Sequence, residues 1–515
     1  MTSAPASAPT VAQRTAANSL FSFASFFISA AVVAITTPIV IHHLGVEQYG
    51  ILSLSLTIVS FLGLLDAGIS TALVRFVADR KAVGDSVGIN RLVSASLAIY
   101  LAIGAIALVC TAVVAIFFTG DIFNLTHKAL APARFAFAVA GVAFFFTFVG
   151  KIFSAVILAL QRNDLSAAIR IAITASTGAG TIALVYLGYG VRALVVLTAT
   201  VAVLGLCAYW LVAERVLPEL SVRVRSDSAL VAWTLRFSGW IFLANTTAFL
   251  LFQLDRLFLG ALKSVSLVTY YAVPGSVASY LMVAVTNLAA ITIAVATGFF
   301  ARGEREQVIR LYLRATRFVM LFLLSIAVPA VVLARPILKF WIGADFADRS
   351  VGVFRLLLLT YATIGLTVVS YNVILAAGRP RVLGLVNLGT FAVNVVLILI
   401  LIPRYGVIGA GWAYLLSVLP LLLLVLYAEH SVLSTGHRHW LRDFARFALP
   451  TAAAAATAIL LEPVASNLAE VLLVAAAAGG VLVLLYLQWF AERNDRELVL
   501  QLAAVPRLRQ FVRRP

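Results

Sequence analysis

Three short motifs recur along this chain in the same order, displaced by about 216 residues, and a repeat of that length sets the architecture. Leu44-Gly45 followed by Tyr49-Gly50 returns as Leu259-Gly260 followed by Tyr270-Tyr271. Val156-Ile157-Leu158-Ala159-x-x-Arg162 returns as Val373-Ile374-Leu375-Ala376-x-x-Arg379. Gly188-Tyr189-Gly190-Val191 returns as Arg404-Tyr405-Gly406-Val407. Each match alone is weak, because apolar sequence carries little information. Their common order and spacing argue for two lobes of similar build. Membrane transporters built from two related halves bind their substrate between them, near the bilayer midplane.

Composition places those lobes in a bilayer. Of the 515 residues, 63% are hydrophobic and 11% charged, with a mean hydropathy of +1.05. A soluble domain carries roughly 25% charged residues. Apolar runs of about 20 residues select helices, where a barrel would show alternating segments of about ten. About fourteen spans are long enough to cross, near 18–41, 50–73, 92–118, 132–159, 165–187, 192–213, 237–259, 267–299, 315–333, 353–376, 383–402, 407–428, 446–461 and 469–490. The expected fold is an all-α membrane protein with two pseudo-symmetric six-helix lobes and two additional C-terminal helices. Its parts are a disordered cytoplasmic tail (1–15), a first lobe with helices one to six (16–213), a cytoplasmic linker (214–236), a second lobe with helices seven to twelve (237–428), the additional pair (446–490) and a basic cytoplasmic tail (491–515).

The net charge of +17 does not point to nucleic acid, because the basic residues are scattered through short loops. They read as topology signals and as contacts to anionic lipid. Cys110 and Cys207 lie within apolar runs and read as small packing residues, not as a disulfide or metal pair. No loop exceeds about 25 residues, which leaves no room for the extramembrane catalytic domain that a membrane glycosyltransferase, polymerase or ligase needs. No P-loop, zinc motif or catalytic-triad spacing occurs, and no cofactor is implied. Pro38, Pro274, Pro329 and Pro420 interrupt spans and bend them, as hinges or as static packing.

The order Pro38, Leu44-Gly45, Tyr49-Gly50, Asp66-x-Gly68, Arg75 and Ala78 resembles the opening of the polysaccharide transporter family. These are the Wzx-like O-antigen and exopolysaccharide flippases of the multidrug/oligosaccharidyl-lipid/polysaccharide exporter superfamily. Leu254-Asp255 with Leu259-Gly260 is similar to that family's seventh span. Asn387 to Ser417, with Asn394, Ile402-Pro403, Tyr405-Gly406 and Gly409-Ala410, is similar to its eleventh and twelfth. The resemblance implies a MATE- or MurJ-like bundle that moves a polyprenyl-pyrophosphate-linked oligosaccharide across the bacterial cytoplasmic membrane by alternating access, for surface polysaccharide synthesis. It implies a lipid-linked oligosaccharide as partner, with a polysaccharide polymerase and glycosyltransferases as possible further ones. A MATE-type ion-coupled drug or cation antiporter is the alternative, and a non-transporting scaffold would need no charges inside the membrane.

An ionised side chain at mid-bilayer costs about 2.5–3.5 kcal/mol on insertion scales, so charges within spans are functional candidates. Asp66, Arg75, Lys151 and Arg170 fall toward the inner side; Arg134, Asp255, Arg256 and Arg355 toward the outer. The guanidinium fork donates two hydrogen bonds to phosphate oxygens and stays ionised, so cations at two depths suit the hand-over of a pyrophosphate. The competing reading is that each cation near a span end reaches to the headgroups. Asp255 and Arg256 project about 100° apart on a helix and need separate partners. Asp66 either pairs with a cavity cation or carries a coupling ion. The predominance of basic charge favours an anionic cargo over the antiporter's cationic one. His42 and His43 are adjacent and do not converge on a metal. Tyr49, Tyr100, Trp210, Trp233, Trp240, Trp341, Trp412 and Trp489 fall near span ends, as in an interfacial aromatic belt.

With the N-terminus in the cytoplasm, the inner loops and tails hold about 26 Lys and Arg and the outer loops about 7, the bias expected of inside-facing segments. An even number of spans then returns the C-terminus to the cytoplasm. Alkaline phosphatase fused after Pro515, which is active only outside the cell, should be silent; activity there would refute the orientation or the span count.

Overall fold

The computed structural model describes residues 11–66, 68–122, 125, 127–221, 253–435 and 438–490. Hydrocarbon offers no water to main-chain N–H and C=O groups, so a spanning segment must close its hydrogen bonds within itself. Among the described residues every element is accordingly helical. In chain order the main helices are α1 (Val11–Leu62), α2 (Ile69–Ala82), α3 (Ser86–Val113), α4 (His127–Ala159), α5 (Asn163–Tyr186), α6 (Val191–Val216), α7 (253–262) and α8 (Val265–Ala301). They continue as α9 (Arg305–Val332), α10 (Ala334–Trp341), α11 (Ala344–Ala376), α12 (Pro380–Val418), α13 (Arg438–Arg446), α14 (Ala448–Leu461) and α15 (Leu468–Trp489).

Eleven stretches of the described residues are long and apolar enough to cross a membrane. Two of them are double: Phe27–Asp66 has 40 residues and Pro380–Val432 has 53, where about 20 suffice. The backbone leaves the helical region inside each, at Gly45 (φ 82°, ψ 166°) and at Gly406 (φ 58°, ψ −128°). Both conformations are open to glycine without a Cβ clash. Expected spans one and two therefore meet directly at Gly45, and eleven and twelve at Gly406, where the sequence suggested short loops. Expected span seven lies mostly outside the described residues, as do residues 1–10, most of the linker, Trp233 and Trp240, and the C-terminal tail. α1 runs back to Val11, into the segment expected as a tail.

The chain divides into two compact units, Met1–Thr269 and Tyr270–Pro515. The division falls beyond the expected linker, so α7 and the first turn of α8 belong with the first unit. Asn90 fastens the start of that linker to α3: its amide donates to the Glu219 carbonyl (2.8 Å) and its carbonyl accepts from Ser221 N–H (2.9 Å).

Lipid tails are as apolar as leucine, so helices in a bilayer associate through close van der Waals contact, and small residues permit it. In the first unit a Cβ at Gly178 would strike Val32 of α1, one at Gly180 would strike Leu197 of α6, and one at Gly205 would strike Ile173 of α5. α4 is the central helix there, packed on α3 and α6, with 61% of its most apolar window buried. Its counterpart six spans later, α11, is the central helix of the second unit at 67%, and no other span exceeds 44%. The additional helices α14 and α15 pack on α9. Phe447 stacks on Tyr486 with centroids 4.3 Å apart, and a Cβ at Gly479 of α15 would meet the Ser325 carbonyl of α9.

The repeat reappears in the turns. α4 ends with Gln161 N–H donating to Leu158 C=O (2.9 Å) and Arg162 N–H to Ile157 C=O (3.2 Å). α11 ends with Gly378 N–H donating to Leu375 C=O (3.0 Å) and Arg379 N–H to Ile374 C=O (3.2 Å). These are the same Schellman closure on aligned residues. A second pair follows the same rule: Asp85 N–H reaches Arg80 C=O, and Glu304 N–H reaches Phe299 C=O, both at 3.0 Å. Each of those acids stands at the N-cap of the next helix, where Asp85 accepts from Gly88 N–H while Glu304 instead pairs with Arg302. The Gly88 N–H, aided by Arg80, holds the Asp85 carboxyl below its usual range, and the Arg302 guanidinium does the same for Glu304.

The first pair differs at the two positions before its arginine, Leu160-Gln161 against Ala377-Gly378. The left-handed position is glycine in the second unit (Gly378, φ 72°) and glutamine in the first (Gln161, φ 58°). A side chain there costs about 1 kcal/mol. Gln161→Gly should therefore raise, and Gly378→Gln lower, thermal stability in detergent by about 1 kcal/mol each; a change of the same sign in both would refute the equivalence of the turns.

Candidate functional site

Expected span two does not run through as one helix. After Leu62 the chain makes a 3-10 turn, Gly63–Asp66, then passes Gly68 in the left-handed region (φ 79°) before α2 starts. The break leaves backbone groups without their usual partners, and the side chains of the Asp66-x-Gly68 motif and its neighbours gather there. Asp66 Oδ2 accepts from Ser70 Oγ at 2.7 Å, and Asp66 Oδ1 accepts from the Tyr100 hydroxyl.

Tyr100 comes from α3 and is fully buried. Its ring stacks on Phe148 with centroids 4.3 Å apart, and Phe148 stacks on Phe144 at 4.9 Å. Phe144, Phe148 and Lys151 follow one another at spacings of four and three, which puts them on one face of α4. The Lys151 ammonium stands 5.9 Å from the Phe148 ring centre, within reach of a cation–π attraction of about 0.5–2 kcal/mol. Asp66 and Lys151, singled out separately in the sequence, are thus brought to the two ends of one packed row: Asp66, Tyr100, Phe148, Lys151. The expectation that Asp66 pairs with a cation is corrected: its partners are two hydroxyls, and among the described residues it makes no ion pair.

The sequence placed Tyr100 in the interfacial belt, and that is corrected too. Its burial and its bond to Asp66 make it part of the site. The signal was available only as spacing, since nothing in an all-apolar helix marks which face turns inward. Trp210, Trp412 and Trp489 are exposed, as a belt requires.

The other candidates are dispersed. Arg75 is exposed on α2, 4.0 Å from Asp79 one turn on. Arg134 on α4 and Arg170 on α5 are exposed. On α7, Asp255 is buried at 1% exposure and Arg256 is half-buried beside it. Arg355 is the one candidate in the second unit. It donates to the Val331 carbonyl at 3.1 Å, satisfying one of the open carbonyls in the last turn of α9, where a cation also suits the helix dipole. His42 and His43 each bond back to a carbonyl four residues earlier, Pro38 and Ile39, so neither ring is turned toward the other's ligand position.

A family model described as polysaccharide biosynthesis protein matches residues 42–351, more than half of the chain. A Bacillus subtilis protein named as the uncharacterized membrane protein EpsK is 24% identical over 401 residues, covering 75% of this chain and 78% of that protein. A Shigella flexneri protein whose name assigns it provisionally to O-antigen transport is 21% identical over 199 residues, and the match spans 46% of its length and 38% of this chain. Among solved structures, the lipid II flippase MurJ in an inward closed conformation aligns with a TM-score of 0.68 at 14% identity, over 93% of this chain and 99% of that one. An inward-facing multidrug resistance MATE transporter aligns at 0.64 and 14%, over 78% and 95%. The expected MATE- or MurJ-like helical fold is therefore the fold observed.

Tyr100→Phe keeps the ring stack and removes the donor to Asp66. It should lower stability in detergent by about 0.5–2 kcal/mol. Combined with Asp66→Asn, the two losses should fall short of additivity. Additive losses in that cycle would show that the hydroxyl and the carboxyl do not act as a pair.

Proposed function

The chain belongs to the polysaccharide biosynthesis protein family, and on that premise we propose that it is a flippase carrying a polyprenyl-pyrophosphate-linked oligosaccharide from the inner to the outer leaflet of a bacterial cytoplasmic membrane. The family match carries the reading. It is supported by a fold shared with a protein named as a lipid II flippase, and by candidate membrane charges in which cations outnumber acids. Cargo is moved without making or breaking a bond, so no reaction is assigned.

Arg75, Lys151, Arg170 and Arg256 are the residues proposed to meet the pyrophosphate, with Arg134 and Arg355 nearer the outer surface. Crossing requires that the phosphate charge stay paired, because an unpaired ion in a low-dielectric interior costs several kcal/mol (about that order for any small ion). Asp66 has a different proposed role: with Tyr100 and Ser70 it holds the break in span two, leaving Lys151 at the far side of Phe148 free to meet an anion. Asp255, the second acid inside the membrane, is proposed as a candidate for ion coupling. Both termini are assigned to the cytoplasm, and polymerase and glycosyltransferases are proposed partners in the same synthesis. The drug-antiporter reading shares the fold but would be served by an acidic lining.

The test is to change Arg75, Lys151, Arg170 and Arg256 to Ala in turn and measure export of surface polysaccharide at matched protein level. At least two variants should lose export by about tenfold or more, the order expected from one lost charge-assisted contact. Arg75 is the cleanest probe, because its exposed pair with Asp79 contributes at most about 0.5 kcal/mol to the fold. Lys in place of Arg should rescue poorly if two hydrogen bonds to phosphate are needed. Full export in all four Ala variants would remove the cationic hand-over.

A further inference from the structure

A cleft of about 280 Å3 opens in the first unit where three chain reversals meet: the stretch after Gly45, the start of α4 and the start of α6. These follow expected spans one, three and five, so all three lie on the same side of the membrane, the outer one in the orientation given by the loop charges. The cleft is lined by Glu47 and Gln48, by Lys128 and by Arg192, with Ile51 and Pro132 among its apolar members. Gln48 Oε1 accepts from Val191 N–H at 3.1 Å, which ties the start of α6 to α1 and fixes the wall between Glu47 and Arg192.

The charges are what make this cleft informative. Outer loops are poor in Lys and Arg, yet two of their few cations converge here. Lys128 and Arg192 are both exposed, and among the described residues neither is committed to an ion pair. Glu47 stands on the same wall, so the lining combines two cationic donors, a carboxylate acceptor, an amide and an apolar surface. A sugar ring bearing one acidic group matches each of these: its oxyanion pairs with the cations, its hydroxyls donate to Glu47 and bond Gln48, and its C–H face lies on Pro132 and Ile51. A bare phosphate uses only the cations and is opposed by Glu47.

We propose that this cleft is an outer-side subsite for an acidic sugar residue of the transported glycan, with Lys128 and Arg192 pairing its carboxylate. The proposal rests on the flippase reading for where the sugar comes from, and it adds the substrate class: glycans containing a uronic acid or a similarly charged sugar.

The experiment is saturation-transfer NMR on the purified full-length protein in detergent, with methyl α-glucuronide, methyl α-glucoside and inorganic phosphate as probes. Saturable transfer to the glucuronide is expected, with at least tenfold weaker binding of the glucoside. Lys128→Ser and Arg192→Ser should each weaken glucuronide binding about tenfold, while Lys128→Arg should retain it. The idea is overturned by absence of saturable glucuronide binding to the unaltered protein, by unchanged binding in both Ser variants, or by phosphate displacing glucuronide at equal or lower concentration, which would mark a headgroup site. Export in cells lacking the protein is measured separately. Intact export without it defeats the flippase reading and leaves a measured glucuronide site standing. Lost export with no glucuronide binding defeats the cleft alone.

Discussion

The main-chain hydrogen bond governs this molecule more than any side-chain contact does. In hydrocarbon an unsatisfied N–H or C=O costs several kcal/mol, so the chain stays helical wherever it can and leaves the helix only where something else takes over the bonding. Gly45 and Gly406 change direction in a single residue. The Schellman turns close within six residues. At Gly63–Gly68 the interruption is longer, and there Asp66, Ser70 and Tyr100 supply polar contacts from side chains. Polar side chains collect at that break, where the backbone leaves its regular pattern.

Two kinds of charged site result. Inside the first unit, Asp66 is held by neutral hydroxyls and Lys151 by an aromatic face, so among the described residues neither charge is cancelled by an opposite one. Partners of this kind orient a charge and leave its field available to a third party. At the cleft beside Gln48 the charges stand at the surface, where water screens them and association is easily reversed. On the proposed flippase reading, a cargo gripped in transit and then released asks for both kinds, and the same unit contains both.

The architecture was legible because it rests on quantities that a sequence displays directly. Span length gave the helical class, and the repeat of Val156–Arg162 at Val373–Arg379 pointed to two units. Residues near the span ends were harder. Leu44-Gly45 and Tyr405-Gly406 read as short loops, since a one-residue reversal leaves no polar stretch behind it. Tyr100 read as interfacial, since the belt and the buried site lie within a turn of each other. The bond from Arg355 to a carbonyl at the end of α9 was also hidden, because that carbonyl belongs to another helix. The row Asp66–Tyr100–Phe148–Lys151 was beyond sequence for a physical reason: spans apolar all round have no polar face to declare which side meets protein and which meets lipid. The cleft was missed because its lining comes from three reversals far apart in sequence, and none of them alone carries its set of charges.

The glutamine at position 161 has a consequence for how the two halves have aged. Duplication gives both copies the same backbone problem at the end of the fourth and tenth spans, and identical hydrogen bonding shows that both still solve it in the same way. One copy holds the residue that suits the solution, and the other holds a residue that merely permits it. Geometry has therefore been inherited more faithfully than sequence. Searching for internal ancestry in related chains should weigh left-handed positions and their closing hydrogen bonds above residue identity, because those mark shared descent after the letters have diverged.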